Sequence, residues 1–103
     1  MIPPVEGRFE WDDAKELANR QKHGVSFEEA KLVFYDAFAI RAYDAKHSFD
    51  EDRYVIIGLS LRLRVLYVVH AEELNGIVRI ISARRATRTE HNLYEQGLPK
   101  NTL

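Results

Sequence analysis

The chain has 103 residues, 46% of them apolar and 30% charged, the size and balance of one compact domain with a single core. It contains no cysteine, which excludes disulfides, thiolate metal sites and a cysteine nucleophile. Its apolar runs are too short to cross a bilayer, and the start MIPPVEGRFE lacks the basic and apolar parts of a signal peptide, so the expected place is the cytoplasm, with no membrane partner. The net charge is -1, but residues 1–60 carry 8 Lys+Arg against 12 Asp+Glu, whereas residues 61–103 carry 7 against 4. Six of those last cations are Arg62, Arg64, Arg79, Arg84, Arg85 and Arg88. An arginine-loaded half can offer a phosphate-attracting face. It equally fits an exchange of complementary charge between two halves of one domain.

Residues 1–7, with Pro3 and Pro4, read as a loose arm, residues 8–98 as the domain and 99–103 as a tail. RFEW (8–11) is a short extended entry that fits an edge strand. Asp12 or Asp13 caps a first helix over 12–23, and Gly24 stops it. The capping box Ser26-Phe27-Glu28-Glu29 opens a second helix over 26–35. Strand signals follow at 37–43, 53–60, 64–70 and 76–85, rich in Val, Ile and Tyr. Leu61-Arg62-Leu63 makes a tight hairpin between two of them, and Asn75-Gly76 marks another turn. A third capping box, Thr87-Arg88-Thr89-Glu90, opens a C-terminal helix to about Gln96, ended by Gly97 and Pro99. The prediction is an α+β fold: two N-terminal helices, an antiparallel β-meander of about four strands and a C-terminal helix, with the helices on one face of the sheet.

Alternation groups the strand side chains. Arg64, Leu66, Val68 and His70 share one face. On the last strand Val78, Ile80, Ser82 and Arg84 form one set, and Arg79, Ile81, Ala83 and Arg85 the other. Arg64 begins one strand and Arg84 ends its neighbour, so antiparallel pairing predicts that the two guanidiniums meet and cradle a phosphate. The same spacing fits two surface arginines paired with Glu90 or Asp52. His23, after Lys22, sits at a helix end, where a histidine complements the dipole or carries a proton. Glu90 and Tyr94, four apart, point the same way from their helix, as a cap and a half-buried ring or as the rim of an arginine patch. His47, His70 and His91 have no metal-ligand spacing, and neither a Gly-rich phosphate loop nor GxSxG is present, so no metal or cofactor is expected.

FEWD (9–12), Asn19, KHGVSFEEA (22–30) and VFYD (33–36) resemble the N-terminal half of the BrnT family. Asp44, His47-Ser48, Arg53, the Ile-Gly step at 57–58 and IISARRATRTE (80–90) followed by Tyr94 resemble its second half. The resemblance implies a RelE-like fold and a toxin of a type II toxin–antitoxin pair that cleaves RNA without metal and arrests translation and growth. It implies a BrnA-type ribbon-helix-helix antitoxin as partner, RNA as substrate, and operator DNA reached only through the complex, within which a homodimer is open. Lys22, His23, Arg64, Arg84, Glu90 and Tyr94 match recurrent positions. On that reading Arg64 and Arg84 stabilise the phosphorane, His23 or Glu90 is the base and Lys22 or Tyr94 the acid. Arg62, Arg85 and Arg88 are assigned to RNA binding. Two positions depart from the pattern: the tip Leu61-Arg62-Leu63, where a polar or glycine-containing pair is expected, and His70, where an aromatic residue is expected. The alternative is a module that binds nucleic acid or an antitoxin without catalysis, offering Phe34, Tyr35, Phe38 and Leu63 as apolar surface.

Overall fold

The computed structural model describes residues 8–73 and 75–97. The arm at 1–7 and the tail at 99–103 therefore lie outside the described residues. Helix α1 (Asp13–His23) starts where the Asp12 carboxylate accepts the Lys15 N–H at 2.9 Å. It stops at Gly24, whose φ of +70° is left-handed and whose N–H reaches the Arg20 carbonyl. Helix α2 (Phe27–Leu32) is capped by Ser26, which accepts the Glu29 N–H at 3.1 Å, and tightens into one 3₁₀ turn at Val33–Tyr35. Its capping box is half made, because the Glu29 carboxylate turns away to Ser60 and Arg64. The box on α3 (Arg88–Gln96) is complete, with Thr87 and Glu90 satisfying each other's backbone.

Four strands, β2 (Ile40–Tyr43), β3 (Tyr54–Leu59), β4 (Val65–Glu72) and β5 (Val78–Arg85), form the expected antiparallel meander. The two-residue β1 (Phe9–Glu10) adds a fifth strand, parallel to β5, so the sheet is mixed and runs β1-β5-β4-β3-β2. The helix arrangement also differs from expectation. Helices α1 and α2 pack on one face, where Val25, Phe27, Ala30, Val33 and Phe34 bury Ile56, Leu66, Val68, Val78, Ile80 and Ala83. Helix α3 instead lies against β3, and its Glu90 meets Arg84 over the ring of Tyr67, on the other face. That face carries Val55 and Ile57, both buried, so a second cover is needed.

One irregularity decides where the arginines point. Along β4 and β5 the register passes from Val69↔Ser82 to His70↔Ile80, leaving Ile81 as a bulge. Val78, Ile80, Ala83 and Arg85 therefore share the inner face, and Arg79, Ser82 and Arg84 share the outer. Strict alternation grouped them otherwise, and no residue type at Ile81 announces the bulge.

Asn19 shows why α1 sits where it does. It is buried at 8% exposure, donates to the carbonyls of Val25 (2.9 Å) and Ala83 (2.8 Å) and accepts the Ala83 N–H (3.1 Å). Strand β1 pairs β5 only at Val78 and Arg79, so farther along this edge the Asn19 amide takes the place of a neighbouring strand.

Candidate active site

The β3–β4 hairpin, the last residues of β5, the end of α1 and the start of α3 meet at one end of the sheet. The hairpin closes through Ser60 N–H to Arg64 O and Leu63 N–H to Ser60 O, both 2.9 Å. Arg64 Nη2 reaches the Gly24 carbonyl at 3.1 Å, and Ala86 N–H reaches Val65 O at 2.9 Å. Lys22, His23, Arg62, Arg64, Arg84, Arg85 and Arg88 all belong to these segments. The opposite end holds Asp44, Asp50, Glu51, Asp52, Glu72 and Glu73, near the β2–β3 connection and the end of β4. There His47 pairs with Asp44 at 3.1 Å, and Arg79 bonds Glu51.

The two arginines expected to converge do not. Arg64 turns to the inner face. Its Nε donates to Glu29 at 3.0 Å, Nη2 donates to the same carboxylate, and Ser60 Oγ donates to it at 2.6 Å. Glu29 is 5% exposed. Burial pulls its carboxyl upward, but the bonds from Arg64 and Ser60 outweigh that and hold it below the ordinary value. Arg84 turns to the outer face because of the Ile81 bulge. Its Nη1 and Nη2 donate to the two Glu90 oxygens at 2.8 and 3.0 Å, and its guanidinium carbon lies 3.9 Å from the Tyr67 ring centroid. This bond to Arg84 is the main cause that lowers the Glu90 carboxyl. By register Arg85, opposite Leu66, is the arginine that shares the inner face with Arg64.

Among the described residues, Lys22, Arg62, Arg85 and Arg88 are exposed and have no ion pair, and half-buried His23 has neither an ion pair nor a hydrogen bond. The three arginines assigned to RNA binding thus have no ion pair, whereas Arg64 and Arg84 are each held by a carboxylate. Tyr94 meets the sheet at the hairpin end of β3. Its hydroxyl donates to Asp36 at 2.6 Å, and Asp36 also accepts the Leu59 N–H at 2.8 Å, fastening α3 to the end of β3. Burial first, and the bond to Asp36 second, push the Tyr94 phenol up to about 12. The hydroxyl thus struts α3 against the end of β3. Of the four apolar residues offered as surface, Phe34 is core at 3% exposure, while Tyr35, Phe38 and Leu63 are exposed.

Two side chains at this end of the sheet have no role assigned from the sequence. Tyr67 supports the guanidinium, and only the alternation of β4, read against a bulged β5, could have placed it there. His91 lines a hollow of about 270 Å³ with Ala86, Thr87, Arg88 and Asn92, and its Nδ1 lies 3.8 Å from Glu95, one turn along α3.

A family model described as the ribonuclease toxin BrnT of type II toxin–antitoxin systems matches residues 11–90. The chain belongs to the BrnT family. As the toxin of a type II pair, this BrnT-family chain has an antitoxin partner. It is similar in fold to the crystal structure of the Brucella abortus ribonuclease toxin BrnT, with a TM-score of 0.61 and 23% identity over 78% of this chain and 96% of that one. No curated protein matches it. Among the described residues no helix is long and apolar enough to cross a membrane. The BrnT match spans the end of α1, the hairpin, Arg84 and Glu90, but stops before Tyr94.

Proposed function

We propose that this BrnT-family chain breaks RNA by attack of a ribose 2′-OH on its own phosphate, and that the arginine-bearing end of the sheet is where it does so. The observation that carries the reading is the Arg84–Glu90 pair, seated on Tyr67 at the end of the sheet that also bears Arg62, Arg85 and Arg88, none of which has an ion pair among the described residues. Unpaired guanidiniums attract the backbone of a nucleic acid, and a positioned arginine stabilises the charge that develops on phosphorus.

Glu90, ionised and held by Arg84, takes the proton of the 2′-OH. As Arg84 shifts its donors from Glu90 to the non-bridging phosphate oxygens, the carboxylate loses the cation that depressed it and becomes a stronger base. A water molecule supplies the proton to the departing 5′-oxygen. The O2′–P bond forms and the P–O5′ bond breaks, leaving a 2′,3′-cyclic phosphate and a 5′-hydroxyl. No step calls on a metal. Lys22 and His23, at the end of α1, hold substrate rather than move protons, and Arg64 supports the hairpin. The reaction takes place in the cytoplasm, arrests translation and growth, and is restrained by a BrnA-type ribbon-helix-helix antitoxin through which the pair reaches operator DNA.

The test is incubation of purified, antitoxin-free protein with RNA, followed by analysis of the ends. Cyclic phosphate and 5′-hydroxyl ends are expected, and Arg84→Ala lowers the rate by about 10²–10³ while the fold and antitoxin binding persist. Undiminished cutting by that variant overturns the assignment. A second reading, binding without cutting, is favoured by the fact that Arg84 is already satisfied by Glu90. It predicts salt-sensitive affinity and no new ends at all.

A further inference from the structure

The hairpin tip does not follow the logic of stability. Leu61 and Leu63 are 77% and 78% exposed, so neither is buried in the core. Leu63 also has a φ of +62°, a left-handed conformation that glycine or asparagine adopts at far less cost. Yet the base of the tip is anchored rigidly. Ser60, 2% exposed, accepts the N–H groups of Arg62 at 3.2 Å and Arg64 at 3.4 Å, and its hydroxyl donates to buried Glu29. Arg64 grips that carboxylate and the Gly24 carbonyl at the end of α1. A buried polar network thus fixes the backbone that carries two solvent-facing leucines. Between them stands Arg62, and near the base of the hairpin lie Lys22 and Arg85, all without ion pairs among the described residues. Apolar groups on an anchored backbone, set among cations without ion pairs, suit a ligand that is anionic along its backbone and apolar on its faces.

We propose that Leu61 and Leu63 form a wedge that packs against the nucleobases of single-stranded RNA and separates two neighbours. Arg62 meanwhile holds the intervening phosphate. Apolar side chains can part stacked bases in this way, and bases in single strands are open to it. An unstacked step lets the 2′-OH line up with the P–O5′ bond, so the leucines act as positioning residues. This rests on the ribonuclease reading above. A protein surface is the competing occupant, and the surrounding positive charge argues for RNA.

The test uses the full chain and a single-stranded RNA oligonucleotide made uncleavable by 2′-O-methylation and carrying 2-aminopurine, whose fluorescence rises on unstacking. The wild type is expected to bind and to raise the signal. The double variant Leu61→Ser, Leu63→Asn is expected to bind about tenfold more weakly, as when an apolar contact is lost, and to give no rise. Its melting temperature does not fall, because asparagine tolerates the left-handed position. Leu61→Ser by itself, which leaves the left-handed residue in place, serves as the second variant should the double one unfold. Unchanged affinity and an unchanged fluorescence rise overturn the proposal. So does a variant that loses the antitoxin while binding RNA as before. Because the oligonucleotide cannot be cut, a wild type that binds it yet cleaves no RNA sinks the ribonuclease reading and leaves the comparison of wedge variants decisive.

Discussion

Arg64 and Arg84 flank neighbouring strands at the same end of the sheet and have opposite duties. Glu29 is buried, and Arg64 is the cation that makes its burial tolerable. Removing one partner of such a pair strands the other charge, whereas replacing both with apolar or neutral groups of similar size leaves no charge behind. Arg64→Ala therefore lowers stability by about 3 kcal/mol at neutral pH, and Arg64→Met combined with Glu29→Gln costs clearly less, as read from urea unfolding. The pH dependence has a definite sign. The folded-state carboxyls of Glu29 and Glu90 both lie below their ordinary 4.5, so their stabilisation is fully present above that value. It fades as the pH falls through the lowered values. In Arg64→Ala the share due to Glu29 is already lost, so its unfolding free energy changes less across that acid range than the wild type's. An equal change in the two proteins contradicts the argument.

At the scale of elements, the local signals in the sequence were the legible ones. The caps at Ser26 and Thr87, the stops at Gly24 and Gly97, and the β-branched runs each act within a few residues, and the structure follows them. What could not be read depends on distant partners. Ile81 is extra only with respect to β4. The Glu29–Arg64 pair spans 35 positions. The second apolar face, which draws α3 across, exists only once β3 and β4 are paired. At the expected site Arg84 pairs with Glu90, Arg64 pairs with Glu29, and the Tyr94 hydroxyl bonds Asp36. Asn19 belongs with these long-range features, since its partner Ala83 lies 64 residues away. Asn19→Ala leaves the Ala83 N–H and two carbonyls without partners, at about 1 kcal/mol per lost bond and so roughly 3 kcal/mol in all. The expected signature is selective. Hydrogen exchange at the Ala83 amide accelerates well beyond the drop in global stability, whereas protection of β3 falls only with the global change.

For the molecule as a whole, a net charge of -1 conceals a polar arrangement. The meander collects strand-end arginines at the hairpin end and leaves the acidic β2–β3 connection at the other. A polyanion meeting this chain is therefore drawn to the hairpin end, because at the other end Arg41, Arg53 and Arg79 are taken up by Glu72, Glu51 and Glu73. Only cations without carboxylate partners should release counterions from RNA, because Arg64 and Arg84 begin neutralised by Glu29 and Glu90. At the hairpin end, among the described residues, Lys22, Arg62, Arg85 and Arg88 remain. With a slope of roughly -0.7 per phosphate neutralised on a single strand, four contacts give about -3 for log K against log salt. Each of Arg62→Ala, Arg85→Ala and Arg88→Ala removes about 0.7 from that slope. Arg64→Ala, in whatever fraction stays folded, leaves it unchanged, and Arg84→Ala affects cleavage far more than the slope. A titration in which all five substitutions flatten the salt dependence equally would mean that the carboxylates release both arginines to the backbone. The division between holding residues and reacting residues would then fall.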